Sequence, residues 1–148
     1  MSALPEGRAA ARGSVAELSE EPCAGSVSWE VSVPQILVDH SAGLALDQAG
    51  FAEEVHRLIA EVIDTTVADC KTLFRPAGRH LVGDGAAGRA VVLVEVKILA
   101  GRSTAQRAEL TARVLAALEA RLDVPAAIGV EVTELDRETY RFVRHPGR

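Results

Sequence analysis

The chain predicts an α/β domain made of two tandem βαβ units, giving a four-stranded sheet with two helices on one face. Three observations carry this. Two apolar strand-like runs, Val33–His40 and Ala90–Leu99, are each followed by a stretch with helical spacing and then by a further strand-like run. Aligning the two runs pairs Pro34 with Val92 and Leu44 with Arg102, an internal repeat. A strand, a crossover helix and a parallel strand make a right-handed unit, and two such units side by side make the sheet. The far face of that sheet is expected to be apolar and uncovered, which requires a partner copy.

In chain order, Pro34–His40 is the first strand, with Ile36, Leu37 and Val38 as its apolar body, and Ser41–Leu46 is a loop containing Gly43. Asp47 has the side chain of an N-cap. Phe51, Val55, Leu58 and Val62, widened by Ile59 and Ile63, form one apolar stripe of about five helical turns, with Glu53, Glu54, Arg57 and Glu61 on the wet side. Ala68–Arg75 reads as the second strand, turned at Pro76-Ala77-Gly78. The glycine-rich Gly83–Gly88 connection lacks the Lys-Ser/Thr ending of a phosphate loop and does not lead directly into a helix.

Ala90–Leu99 is the strongest strand signal, long and β-branched, with Glu95 and Lys97 as same-face neighbours able to pair. Ser103 opens the second helix, and Gln106 three residues later completes a capping box. Leu110, Val114, Leu118 and Leu122 recur at steps of four, and Asp123-Val124-Pro125 ends the helix. Ala127–Leu135 is the fourth strand, and Glu138–Val143 is expected to add a short closing strand or hairpin arm.

Composition sets the bounds. A chain of 148 residues, 48% apolar, is long enough for one domain with a modest core, and with 3% aromatics that core is aliphatic. The formal charge of −5 gives no general attraction to nucleic acid or anionic lipid. No apolar run approaches the roughly 20 residues of a membrane span, and the N-terminal stretch lacks the apolar core of a secretory signal. The expected location is the cytoplasm. Cys23 and Cys70 have no metal-binding spacing, and His40, His56, His80 and His145 form no ligand set.

Residues 1–33 differ from the rest of the chain. Arg8 and Arg12 stand against Glu6, Glu17, Glu20, Glu21 and Glu30, a charge of −3, with little periodicity beyond a short helix over Val15–Glu21. Such a segment is expected to be disordered or loosely attached to the domain at 34–148. Its codons allow another reading. Trp29 is TGG, and with GAG for Glu30 and GTN for Val31 the gene reads GGGAGG, a ribosome-binding sequence just upstream of Val33. Val33 is then a GTG start, residues 1–33 are not part of the working protein, and removal of the initiator methionine leaves Pro34 first.

Lys97–Leu135 resembles the 4-oxalocrotonate tautomerase subunit: an apolar strand ending Gly101-Arg102-Ser103, a helix, a proline turn, and a strand ending Val132-Thr133-Glu134. From Pro34 onward, about 110 of the 148 residues resemble the 5-carboxymethyl-2-hydroxymuconate Δ-isomerase family, including its Lys-Ile-x-Ala-Gly-Arg-Ser motif at Lys97–Ser103. Both are tautomerase-superfamily proteins. The resemblance implies a cofactor-independent, metal-free proton transfer on a small unsaturated carboxylate, carried out by a homotrimer.

It also implies site residues. Pro34 matches the N-terminal proline that acts as catalytic base. Only a terminal proline is a basic amine; burial and cationic neighbours lower an amine's pKa from about 7.7–8.0, so that it can carry protons at neutral pH. Arg102 matches the arginine that forks onto a substrate carboxylate. Lys71, with Arg75 further along, stands where the family has a basic residue on the strand after the first helix; a lysine neutralises a carboxylate without forking onto it.

Overall fold

The structure is a computed structural model and describes residues 33–86 and 88–148. The segment before Val33, with the expected Val15–Glu21 helix and Cys23, lies outside the described residues.

The elements are β1 (Gln35–Ser41), α1 (Gln48–Ile63), a 3₁₀ turn (Val67–Asp69), β2 (Lys71–Ala77), β3 (Ala90–Leu99), α2 (Thr104–Glu119) and β4 (Ala126–Leu135). The strands form one sheet in the order β2-β1-β3-β4. β1 runs parallel to β2, β3 parallel to β4, and the two units meet antiparallel through β1 and β3. The repeat is visible in the register: Gln35 pairs with Lys71 and Ala90 with Ala126, partners 36 positions apart (35 to 71, 90 to 126) in both halves.

Local chemistry sets the helix starts. Asp47 accepts the Gly50 N–H at 3.1 Å. Ser103 and Gln106 exchange both bonds of the capping box. The α1 stripe of Phe51, Val55, Leu58, Ile59 and Ile63 and the α2 stripe of Leu110, Val114, Ala117 and Leu118 are buried on one face of the sheet, against Ile36, Val38, Val92, Val94, Val96 and Ile98. Each large side chain so buried contributes roughly 1.5–3 kcal/mol.

Three expectations need correction. The second strand starts and ends later than Ala68–Arg75. The 3₁₀ turn, closed by Thr66 Oγ1 donating to Asp69 at 2.8 Å, precedes it. Pro76 continues it, because β2 is an edge strand where a missing N–H is tolerated. Glu138–Val143 forms no strand: Asp136 O accepts the N–H groups of Thr139 and Tyr140, turning the chain instead. The open face of the sheet is mixed rather than apolar. Leu73 and Leu93, 60% and 54% exposed, share it with Lys71, Arg75, Glu95 and Lys97. The compact unit extends to Tyr140, and Arg141–Arg148 lie outside it.

Candidate active site

The antiparallel β1–β3 pairing brings the start of β1 beside the end of β3, since Gln35 lies opposite Lys97. Parallel pairing brings the start of β2 to the same end, and α1 finishes there too. Pro34, Lys71 and Arg102 therefore lie at the same end of the sheet although they are far apart in sequence.

Pro34 is buried, and its carbonyl accepts the Lys71 N–H at 3.2 Å. Its nitrogen is acylated by Val33, itself 6% exposed, so in the 148-residue chain it is an amide without basicity. The neighbouring Gln35 side chain donates to the Tyr140 hydroxyl. Burial raises the Tyr140 pKa and keeps that hydroxyl protonated.

The Lys71 ammonium donates to the Asp69 carbonyl at 2.6 Å. Its charge reaches two neighbours. The His56 pKa is lowered, first by burial and then by Lys71, so the ring is held neutral, 2.7 Å from Thr72 Oγ1. Burial pushes the Cys70 thiol up to about 11 against the opposing pull of Lys71, and Sγ donates to the Thr66 carbonyl at 3.6 Å. Cys70 is thus a buried thiol and no nucleophile. Arg75 is not part of this end: four residues along β2, it forks onto both Asp39 oxygens at 2.9 Å.

Arg102 has a role that the sequence did not reveal. Its Nη2 donates to the Ile63 carbonyl at 2.9 Å, where α1 ends, and Gln106 Nε2 reaches the Val62 carbonyl at 3.4 Å. A cation beside α2's first turn is unfavourable alone, but at α1's C-terminus it meets unpaired carbonyls and the negative end of the dipole. One edge of the guanidinium is engaged in this way.

Other features lie away from this end. A cavity of about 440 Å³ runs between the helices, lined by Glu54, Arg57, Glu61 and Arg113 over Ala117. A second, of about 280 Å³, lies on the open sheet face around Leu93 and Gly129. Neither is lined by Pro34, Lys71 or Arg102. His40 is buried at 5% exposure, edge-on to Phe74, with Nε2 unpartnered among the described residues. Among the described residues no group of three His, Cys, Asp or Glu side chains could hold a metal, and no helix is long and apolar enough to cross a membrane.

No protein-family model matches the sequence, and no curated protein matches it. Solved structures do, and they show the fold: this chain has the tautomerase fold. Similar structures include a 5-carboxymethyl-2-hydroxymuconate isomerase from Deinococcus radiodurans R1, at TM-score 0.65 and 16% identity, over 78% of this chain and 93% of that one. A fused 4-OT solved as a symmetric trimer matches at TM-score 0.60 and 18% identity, over 69% and 87%. FG41 malonate semialdehyde decarboxylase matches at TM-score 0.58 and 20% identity, over 74% and 89%.

Proposed function

We propose that the unit beginning at Pro34 is a cofactor-independent isomerase. It moves a proton along small unsaturated 2-hydroxy or 2-oxo di- or tricarboxylates such as 5-carboxymethyl-2-hydroxymuconate. The observation that carries this reading is that Pro34, bonded to Lys71, lies at the same end of a tautomerase-fold sheet as Arg102. When Pro34 is the first residue, its secondary amine takes the proton from the substrate's 2-hydroxyl or from carbon. It returns that proton to another carbon of the same conjugated system, with no net change in composition. Arg102 holds a carboxylate and polarises the enol through the edge of its guanidinium not bonded to Ile63. Lys71 adds a second positive charge beside that carboxylate. Residues 34–148 are the functional domain and 1–33 an extension, and three copies assemble over the open sheet face. The working compartment is the cytoplasm.

A second reading is supported by the amide at Pro34 and the burial of Val33. If residues 1–33 are retained, the protein is a non-catalytic oligomer that binds small acids or acts as a scaffold.

The deciding experiment compares the 148-residue chain with the chain starting at Pro34 in ketonisation of a 2-hydroxymuconate-type enol. A positioned base contributes about 10²–10⁴-fold, so the Pro34-initiated form is expected to be at least about a hundredfold faster. Mass spectrometry of protein made from the native gene identifies which form exists. Equal rates would remove Pro34 as the base and the isomerase mechanism with it.

A further inference from the structure

The open face of the sheet carries one cross-strand row beside Pro34 in which cations flank an amide. In the register, Lys71 lies opposite Gln35 on one side and Lys97 opposite Gln35 on the other. Adjacent strands are about 4.8 Å apart, so the two lysine backbones stand roughly 10 Å apart across the row. Gln35 is held between them by its bond to the Tyr140 hydroxyl. The row begins one residue after Pro34.

Lys97 is the unexplained member. It is half-buried on the strand next to β1. The neighbour expected to neutralise it, Glu95, instead accepts a hydrogen bond from Thr133 Oγ1 at 2.7 Å. Among the described residues no carboxylate pairs with Lys97; the ion pairs lie elsewhere, at Arg75, Arg107, Arg113 and Arg121. A lysine ordinarily keeps its ammonium in water on a flexible stem. On a face over which copies are proposed to assemble, this charge is best matched by an anion.

We propose that Lys97 is a specificity-determining residue that binds the second, distal carboxylate of the substrate, so that the site selects dicarboxylates over monocarboxylates of the same length. Gln35, held by Tyr140, separates the two cationic ends of the row and orients the ligand between them. The inference rests on the functional reading above, because it takes the Pro34 end as the site. It adds a residue and a selection rule, and it does not require Pro34 to be basic.

The test uses two unreactive six-carbon dienes that differ by one carboxylate, trans,trans-muconate and sorbate. Binding of each is measured by calorimetry to the 148-residue chain and to the chain starting at Pro34. Muconate is expected to bind at least about tenfold more tightly than sorbate. Lys97→Met should abolish that preference by weakening muconate at least about tenfold and leaving sorbate unchanged, as a charge-assisted bond predicts. Lys97→Arg should restore most of it. Three results overturn the proposal: no muconate preference in either chain, equal weakening of both ligands by Lys97→Met, or an unchanged preference with a weakened oligomer. The last would assign Lys97 to a carboxylate of another copy. Failure of the functional reading is distinguishable, because a Pro34-initiated chain without ketonisation activity still reports on this binding preference.

Discussion

The two βαβ halves bury the same stripe with different side chains and enter their helices by different loops. Phe51, Val55, Leu58 and Ile59 of α1 occupy the places that Leu110, Val114, Ala117 and Leu118 occupy in α2, each 59 positions on (51 to 110, 55 to 114, 58 to 117, 59 to 118). The N-caps are closer, 56 positions apart (47 to 103), so α2 starts almost a turn earlier relative to its buried stripe. That early start carries Arg102 and Gln106 to the carbonyls at the end of α1. In the first half the place of Arg102 is taken by Leu44, which packs against the core. A Gly with positive φ precedes each, Gly43 at 81° and Gly101 at 125°, so the turn is common to both halves and the residue after it differs. The first half closes its loop on the core with an apolar side chain. The second closes it with a cation at the end of the sheet where Pro34 lies. One shortened loop is enough to make two similar halves chemically unequal.

The unequal stripes give the largest expected effect. Phe51 is fully buried and packs edge-on to Phe74, with ring centroids 6.4 Å apart. Phe51→Ala should cost about 3–5 kcal/mol, and more than Leu110→Ala by the roughly 0.5–1.5 kcal/mol of the aromatic contact. Urea unfolding at one fixed protein concentration measures both, since an oligomer's stability depends on concentration. Equal losses would mean that the two halves share the core evenly.

Arg102 tests the loops. Removing a charged donor from the Ile63 carbonyl should cost about 1.5 kcal/mol of stability. Loss of a bidentate carboxylate contact should remove roughly 2–5 kcal/mol of transition-state binding in the Pro34-initiated chain. Arg102→Lys separates the two roles: its ammonium can still reach a helix-end carbonyl but cannot fork, so stability should recover more than kcat/KM. If Arg102→Ala loses stability and leaves turnover unchanged, Arg102 only joins the two helices, and the difference between the halves is one of packing.

These halves were legible in the sequence wherever a signal is local. The stripes, Asp47, and the Ser103–Gln106 box depend on residues three or four apart, and one βαβ unit implies that the strand carrying Lys71 runs beside β1. The 36-residue register does not follow from it, because the 3₁₀ turn delays β2 past the expected start at Ala68. What was missed depends on how the units join. The antiparallel β1–β3 pairing sets Lys97 opposite Gln35, and no local pattern announces a central pair. Glu95 turns to Thr133 because β4 supplies a hydroxyl that a single-strand view omits. Pro76 looked like a chain turn because only the sheet order makes β2 an edge. Arg102 looked misplaced at a helix start because the helix it caps is the other one. Tyr140 falls within the expected closing strand, whereas its hydroxyl accepts from Gln35 and fixes that side chain.

The smallest effect concerns the two caps. Ser103 works by geometry: a neutral hydroxyl accepts the Gln106 N–H at 3.0 Å while the Gln106 side chain accepts from the Ser103 N–H. Asp47 adds charge to the same job. Its carboxylate accepts the Gly50 N–H, stands at the positive end of α1, and lies 3.7 Å from the Arg121 guanidinium. Ser103→Ala should cost about 1 kcal/mol, by the same amount at low and at molar salt, because no net charge is removed. Asp47→Asn keeps an oxygen for Gly50 and loses only the charge. It should cost about 0.3–1 kcal/mol at low salt and close to nothing at molar salt, where an exposed carboxylate is screened. Urea unfolding at the two salt concentrations distinguishes them. A salt-independent loss at Asp47 would mean that both caps act by hydrogen-bond geometry alone, leaving the shortened loop as the difference between the two helix starts.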